Sequence, residues 1–223
     1  MSDNDSISDY NSEPEEQRLA EQQLADRIFS KLVTSKFDLR AHDFLPDDFI
    51  EELITKDAIQ IVLGLGTGSA PISAKEKKFV DWIHSKARRL FAIIVYCGLV
   101  QDEITKSLKK FRVSEFTDGS LPIEKPRGSE GQALSRQFYF MPGFWNAPRL
   151  GSFWDHQWKF NVPIFDVDTY NYDLPSESIF PFTWKDESVK EGAFSCVYRV
   201  RIHTAHQKHE LEDVRTSASS LTK

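Results

Sequence analysis

Leu90-Phe91-Ala92-Ile93-Ile94-Val95-Tyr96-Cys97-Gly98-Leu99-Val100 is the longest apolar stretch of the chain. Wound as a helix, eleven residues rise about 16 Å, half the hydrocarbon thickness of a bilayer. The stretch is therefore a helix buried in a protein core, and the neighbouring sequence should supply that core. Upstream, Ser73 with Glu76 forms a capping box, and one long helix is predicted from there to about Tyr96. Phe79, Trp82, Ile83, Phe91, Ile94 and Val95 would be its buried side, and Gly98 its terminator. Downstream, Gln101 to Phe111 carries Ile104 and Leu108 at helical spacing.

Further toward the N-terminus, Leu24, Ile28 and Leu32 recur every four residues, with Phe29 and Val33 widening the stripe, so a helix is expected from about Glu15 to Ser35. Its acids lie near the start, and Lys31 and Lys36 lie near the end, as the helix dipole favours. Another helical stretch follows Leu45-Pro46 with Phe49, Ile50, Leu53 and Ile54. A short apolar piece, Ala58 to Leu65, ends in glycines. Residues 15–116 thus read as a helical domain behind a disordered acidic tail at 1–14.

The character changes near residue 117. Gly119, Pro122, Pro126, Gly128 and Gly131 mark residues 117–137 as a linker or loop. Between Phe138 and Trp184 stand 15 of the chain's 28 aromatic residues, punctuated by Pro142, Pro148, Pro163, Pro175 and Pro181. Residues 138–186 are accordingly expected to be irregular, made of short strands and packed loops. Residues 187–210 alternate like a β-hairpin, with Val197, Val200 and Ile202, and 211–223 is a polar disordered tail. The fold class is α+β: a mainly α-helical N-terminal domain, an aromatic-rich irregular region and a short antiparallel β-hairpin.

Composition narrows the function classes. The chain of 223 residues is 40% hydrophobic and 28% charged, the balance of a globular protein. Its net charge of -6 gives no basic footprint for nucleic acid. The first 16 residues hold Asp3, Asp5, Asp9, Glu13, Glu15 and Glu16 and no Lys or Arg, and the remaining 28 acids balance the 28 bases. Two cysteines, Cys97 and Cys196, exclude a disulfide framework and a cysteine-based zinc module, and read as reduced thiols. With no signal peptide legible, the expected location is intracellular, cytoplasmic or nuclear, with no membrane association.

Three constellations carry residue types capable of chemistry. Gly64-Leu65-Gly66-Thr67-Gly68-Ser69 has the glycine density of a phosphate cradle, but Ser69 stands where a dinucleotide fingerprint needs glycine, and no Lys follows as in a Walker loop. It reads as an inter-helix loop. His203, His206 and His209 could place two imidazoles on one face, yet no cysteine adjoins them, and a solvated turn or tail is the plainer reading. The aromatic belt mixes Arg149 and Lys159 with Asp155, Asp166, Asp168 and Asp173, which suits packing better than base stacking. A small-molecule enzyme using Asp155, His156 or Asp173 has no diagnostic spacing behind it.

The most informative segment is Val189-Lys190-Glu191-Gly192-Ala193-Phe194-Ser195-Cys196-Val197-Tyr198-Arg199-Val200. Against G-x-G-x-x-G-x-V, Gly192 takes the second glycine, Phe194 the aromatic at the tip and Val197 the valine, while Lys190 and Ser195 replace the outer glycines. Together with Leu174-Pro175, Phe180-Pro181-Phe182 and Ile202-His203, the segment resembles the entry into the kinase domain of filamentous-fungal protein-kinase-like proteins. Phe44-Leu45-Pro46, the Leu90–Val95 helix and the exit from Phe111 to Leu121-Pro122 look like the pre-kinase region of that group. The resemblance covers most of residues 40–203. It implies that the hairpin corresponds to the first two strands of a kinase N-lobe, with Gly192, Phe194 and Val197 as a degenerate ATP-loop remnant.

A kinase also needs a lysine on the third strand, a catalytic-loop aspartate and the metal-binding aspartate of D-F-G. Neither H-R-D nor D-F-G occurs here, and no V-A-x-K follows Val197. Two strands alone cannot enclose a nucleotide. The expectation is a non-catalytic regulatory or interaction region, truncated before the catalytic motifs. It would have a protein partner, no metal, and ATP only if a full kinase domain follows. The alternative is a stand-alone helical protein-interaction module unrelated to kinases.

Overall fold

The computed structural model describes residues 13–37, 42–66, 71–125, 144–166, 168–169, 171–186, 188, 190–191 and 196–208. Among these the chain is helix-rich α+β, with seven α-helices and short antiparallel strand pairs. The helices are α1 (Glu13–Ser30), α2 (Asp47–Leu53), α3 (Lys56–Val62), α4 (Ala74–Lys86), α5 (Arg88–Tyr96), α6 (Gln101–Val113) and α7 (Ala147–Phe160). The strands are β1 (Val33–Ser35), β2 (His42–Phe44), β3 (Phe182–Lys185), β4 (Lys190–Glu191), β5 (Cys196–Val197) and β6 (Val200–Ile202).

The apolar run that opens the sequence argument is α5, and it occupies the centre. Leu90 through Val95 are all buried, because α1, α2, α4, α6 and α7 pack around it. At about 1.5–3 kcal/mol for each large apolar side chain removed from water, this nine-residue helix anchors the whole body. It ends where Gly98 adopts φ 74°, a left-handed turn that glycine enters without a Cβ clash.

The single helix expected from Ser73 to Tyr96 is two. The capping box is present: Ser73 Oγ accepts from Glu76 N at 3.3 Å, and Glu76 Oε2 accepts from Ser73 N at 2.8 Å. The helix then breaks at Ala87, where φ is -141°. A carboxylate from elsewhere in the chain restarts it. Asp118 accepts from Arg89 N at 3.0 Å and Leu90 N at 2.9 Å, satisfying amides that the break exposes. No glycine or proline marks this point, so the sequence pattern ran straight through it.

The N-terminal helix is also shorter than expected. It ends at Ser30, and Val33–Ser35 leave as β1, paired antiparallel with β2 in the register Val33↔Phe44. Leu24 and Ile28 face the core as read, but Phe29 is 67% exposed and does not widen the stripe. The apolar piece at 58–65 is largely helical, in α3, whose Thr55 cap accepts from Ala58 N at 3.1 Å.

The larger correction concerns residues 138–186, expected to be irregular. Within them lies α7, a fourteen-residue helix. Asn146 caps it by accepting from Arg149 N at 3.1 Å, and Pro148 sits in its first turn, a position that tolerates proline. Leu150, Phe153, Gln157, Trp158 and Phe160 form its buried face. Gln157 pairs its amide with the Ile123 backbone, accepting from N at 2.6 Å and donating to O at 3.1 Å. Trp145 stacks near Phe111 at 6.1 Å and meets Phe153 edge-on at 5.6 Å. The core that begins in α1 therefore continues past residue 116 through Ile123, Trp145, Leu150, Phe153 and Phe160.

Candidate functional site

Of the hairpin expected at 187–210, β4 pairs antiparallel with β5 (Lys190↔Val197, Glu191↔Cys196), but β6 pairs with β3, which lies before that range in the region expected to be irregular (Lys185↔Val200), and Thr204–His206 is a 3-10 turn; Asp186 N donates to Arg199 O at 2.8 Å. The chain thus runs out along 182–191 and back along 196–202. Gly192 and Phe194 lie outside the described residues; Val197 is placed in β5 opposite Lys190, and its side chain is likewise outside them.

What the structure adds is the way the base of this hairpin is fastened to the helical body. Lys36 N, just after β1, donates to Phe182 O at 2.7 Å. The Lys185 ammonium donates to Phe37 O at 2.9 Å and stands over two rings, Phe37 at 4.9 Å and Tyr198 at 4.0 Å. Phe37 itself packs against Phe180 at 4.8 Å and Phe182 at 5.3 Å. A desolvated cation on an aromatic face contributes about 1–2 kcal/mol, and each ring pair about 0.5–1.5 kcal/mol.

The return strand leads into a 3-10 turn, Thr204–His206, and His206 is the bolt of the junction. Its side chain is 1% exposed, edge-on to Phe44 at 5.5 Å, and Nδ1 donates to Pro163 O at 3.1 Å. That bond leaves Nε2 as the unprotonated nitrogen of a neutral ring. Burial pushes the imidazole down to about 4. Its main chain is held as well, with Phe165 N donating to His206 O at 2.9 Å. His203 accepts from Ala205 N at 3.2 Å, capping the same turn.

Beside the turn lies a charged cleft of about 280 Å³ between α2, α4 and α5, lined by Asp47, Glu51, His84, Arg88, Arg89 and Asp118. Its charges serve one another. Arg89 pairs with Asp47, Arg88 pairs with Glu51 at 3.3 Å, and Asp118 is spent on the α5 amides. Burial raises the Asp118 carboxyl above its ordinary value, against the pull of those amides and of Arg89. The cleft is a structural joint whose three carboxylates are already paired.

The other sequence candidates are placed apart from this joint. Gly64 and Gly66 adopt positive φ, 62° and 80°, in a turn after α3, while Thr67, Gly68 and Ser69 lie outside the described residues. His206 is consumed by packing and His209 lies outside the described residues; no group of His, Cys, Asp and Glu able to hold a metal occurs among the described residues. His156 sits edge-on to Tyr96 at 5.0 Å, with its basicity lowered by burial, and the neighbouring Asp155 is exposed. Asp173 is exposed in the segment between α7 and β3. No local pattern announces Phe37 and Lys185, whose partners are distant along the chain, and His206, expected in a solvated turn or tail, is instead buried at 1% exposure. No helix among the described residues is long and apolar enough to cross a membrane. No protein-family model, curated protein or solved structure matches the chain.

Proposed function

We propose that this chain is the non-catalytic regulatory or interaction region of a fungal protein-kinase-like protein, with its helical body gripping the start of the kinase-like lobe. The observation that supports this reading is the pairing of Lys190–Glu191 with Cys196–Val197. In this reading Gly192–Ser195 would join those two strands as the remnant of a nucleotide-covering loop. The grip through Phe37, Phe182, Lys185 and His206 gives the helices a mechanical handle on that hairpin. A protein partner follows from this role, and phosphotransfer does not, since the residues for metal binding and for orienting a hydroxyl are lacking in the sequence.

Two measurements test it. Titration with Mg-ATP should give no tight binding and no phosphotransfer; tight magnesium-dependent binding with transfer would overturn the non-catalytic assignment. Reading the gene past Lys223 should reveal V-A-x-K, H-R-D and D-F-G in that order. Their absence over several hundred codons would favour a stand-alone helical interaction module, a reading to which the continuous core of α1 to α7 also lends itself.

A further inference from the structure

On the flank of the body opposite in character to the acidic head, α4 and α6 leave an open groove of about 820 Å³. Its floor is apolar: Phe79, stacked on Trp82 at 6.2 Å, and Val113, which is 83% exposed. Its rim is cationic, formed by Lys75 and Lys78 from α4 and Lys109 and Arg112 from α6. The one carboxylate there, Glu76, is held by Ser73 in the capping box, which keeps it ionised and occupied. Among the described residues no ion pair joins the four rim cations to a carboxylate, and Arg112 leans over the Phe79 ring at 5.9 Å.

Such a surface suits an acidic segment carrying an apolar residue. The chain contains one. Asp3-Asn4-Asp5-Ser6-Ile7-Ser8-Asp9 places Asp3, Asp5, Ile7 and Asp9 at every second position. Residues two apart share one face of an extended chain, so three carboxylates and one aliphatic side chain would point the same way. Extended chain from Glu13 spans about 13 Å to Asp9, about 20 Å to Ile7 and about 33 Å to Asp3, and α1 packs against α6, which is about 20 Å long.

We propose that the acidic head docks into the α4–α6 groove of its own chain, with Asp3, Asp5 and Asp9 against Lys75, Lys78, Lys109 and Arg112 and with Ile7 on Phe79 and Val113. The head then acts as a tethered occupant that a tighter acidic ligand must displace. The contacts are exposed ion pairs around one apolar residue, so docking weakens steeply with salt. This proposal stands independently of the kinase reading.

Carbodiimide coupling of carboxylates to amines in the full chain, mapped by mass spectrometry, tests it. The expected result is coupling of Asp3, Asp5 or Asp9 to Lys75, Lys78 or Lys109, with a yield independent of protein concentration and lost at about 0.5 M salt. Lys78→Glu with Lys109→Glu and Arg112→Glu should abolish it. Ile7→Asp, which leaves the folded body untouched, should lower it several-fold. Coupling scattered evenly over exposed lysines such as Lys36, Lys56 and Lys86 would overturn the proposal. So would a yield that rises with concentration, which would mean that the groove takes the head of a second copy.

Discussion

Acidification should loosen the junction through His206, by an amount that follows from its burial. The ring's value in the fold, about 4, lies below its ordinary 6.5, so the unfolded chain binds the extra proton between those limits. The stability it contributes is complete above pH 6.5 and drains as pH falls through the window down to about 4. The full gap corresponds to about 3 kcal/mol, and the part lost by pH 5 to about 2 kcal/mol. Desolvation dominates: the bond to Pro163 O and the Asp47 carboxylate pull toward protonation, while His203 and Arg89 add to the lowering. Other groups bear on the raw curve. Burial lowers His84 and His156 as well, which adds loss on acidification, whereas raised Asp118 gains stability as it is protonated. The informative quantity is therefore a difference. Urea unfolding at pH 7.5 and pH 5.0 is compared for the native chain, His206→Phe and His206→Asn, the last keeping a donor for Pro163 O. The native chain should lose about 2 kcal/mol more than either variant. Parallel pH curves would refute the reasoning, as would a histidine resonance for His206 that titrates near 6.5 in the folded chain.

Other expectations follow from the helical body. Phe91→Ala, in the middle of α5, should cost about 3–5 kcal/mol in denaturant unfolding, because all sides of the helix are packed and little can collapse into the void. Asp118→Ala should cost about 1–2 kcal/mol by the same assay, since Arg89 N and Leu90 N lose their acceptor; a neutral effect would mean that water caps α5 equally well. Cys97, whose thiol burial pushes up to about 12, should resist alkylation at pH 8 in the folded chain and react on unfolding. Iodoacetamide labelling in a Cys196→Ser background measures this directly.

How much of this was legible beforehand depends on how local each cause is. The Ser73–Glu76 box, the turn at Gly98 and the apolar face of α6 are set by residues within four positions of one another, and all three were read correctly. The break at Ala87 depends on a carboxylate some thirty residues away, and nothing between His84 and Arg88 hints at it. The helix α7 was hidden by its own composition. Aromatics and Pro148 suggested irregular chain, although Leu150, Phe153 and Gln157 keep helical spacing and Asn146 stands where a cap belongs. The strands β1 and β2 are three residues each, too short for an alternating pattern, and exist because they pair with each other and adjoin β3. The antiparallel pairing of 190–191 with 196–197 is legible in the alternating sequence, while the surface that grips the base of β3 and β6 is not.

The α7 helix has a consequence for how the ends of the molecule find each other. Lys185 and Phe37 are 148 residues apart, so closing their contact directly would entail a long loop. Yet Leu45 N, just after β2, donates to Lys159 O near the end of α7 at 2.8 Å. Once α7 has docked on α5, only roughly thirty residues of chain remain to be closed around the junction, which lowers the entropic cost by about 1–2 kcal/mol. The helix thus works as a splice that brings a remote segment within local range. Damage to its buried side, at Leu150 or Phe153, would show first as release of the hairpin, far from the altered residue.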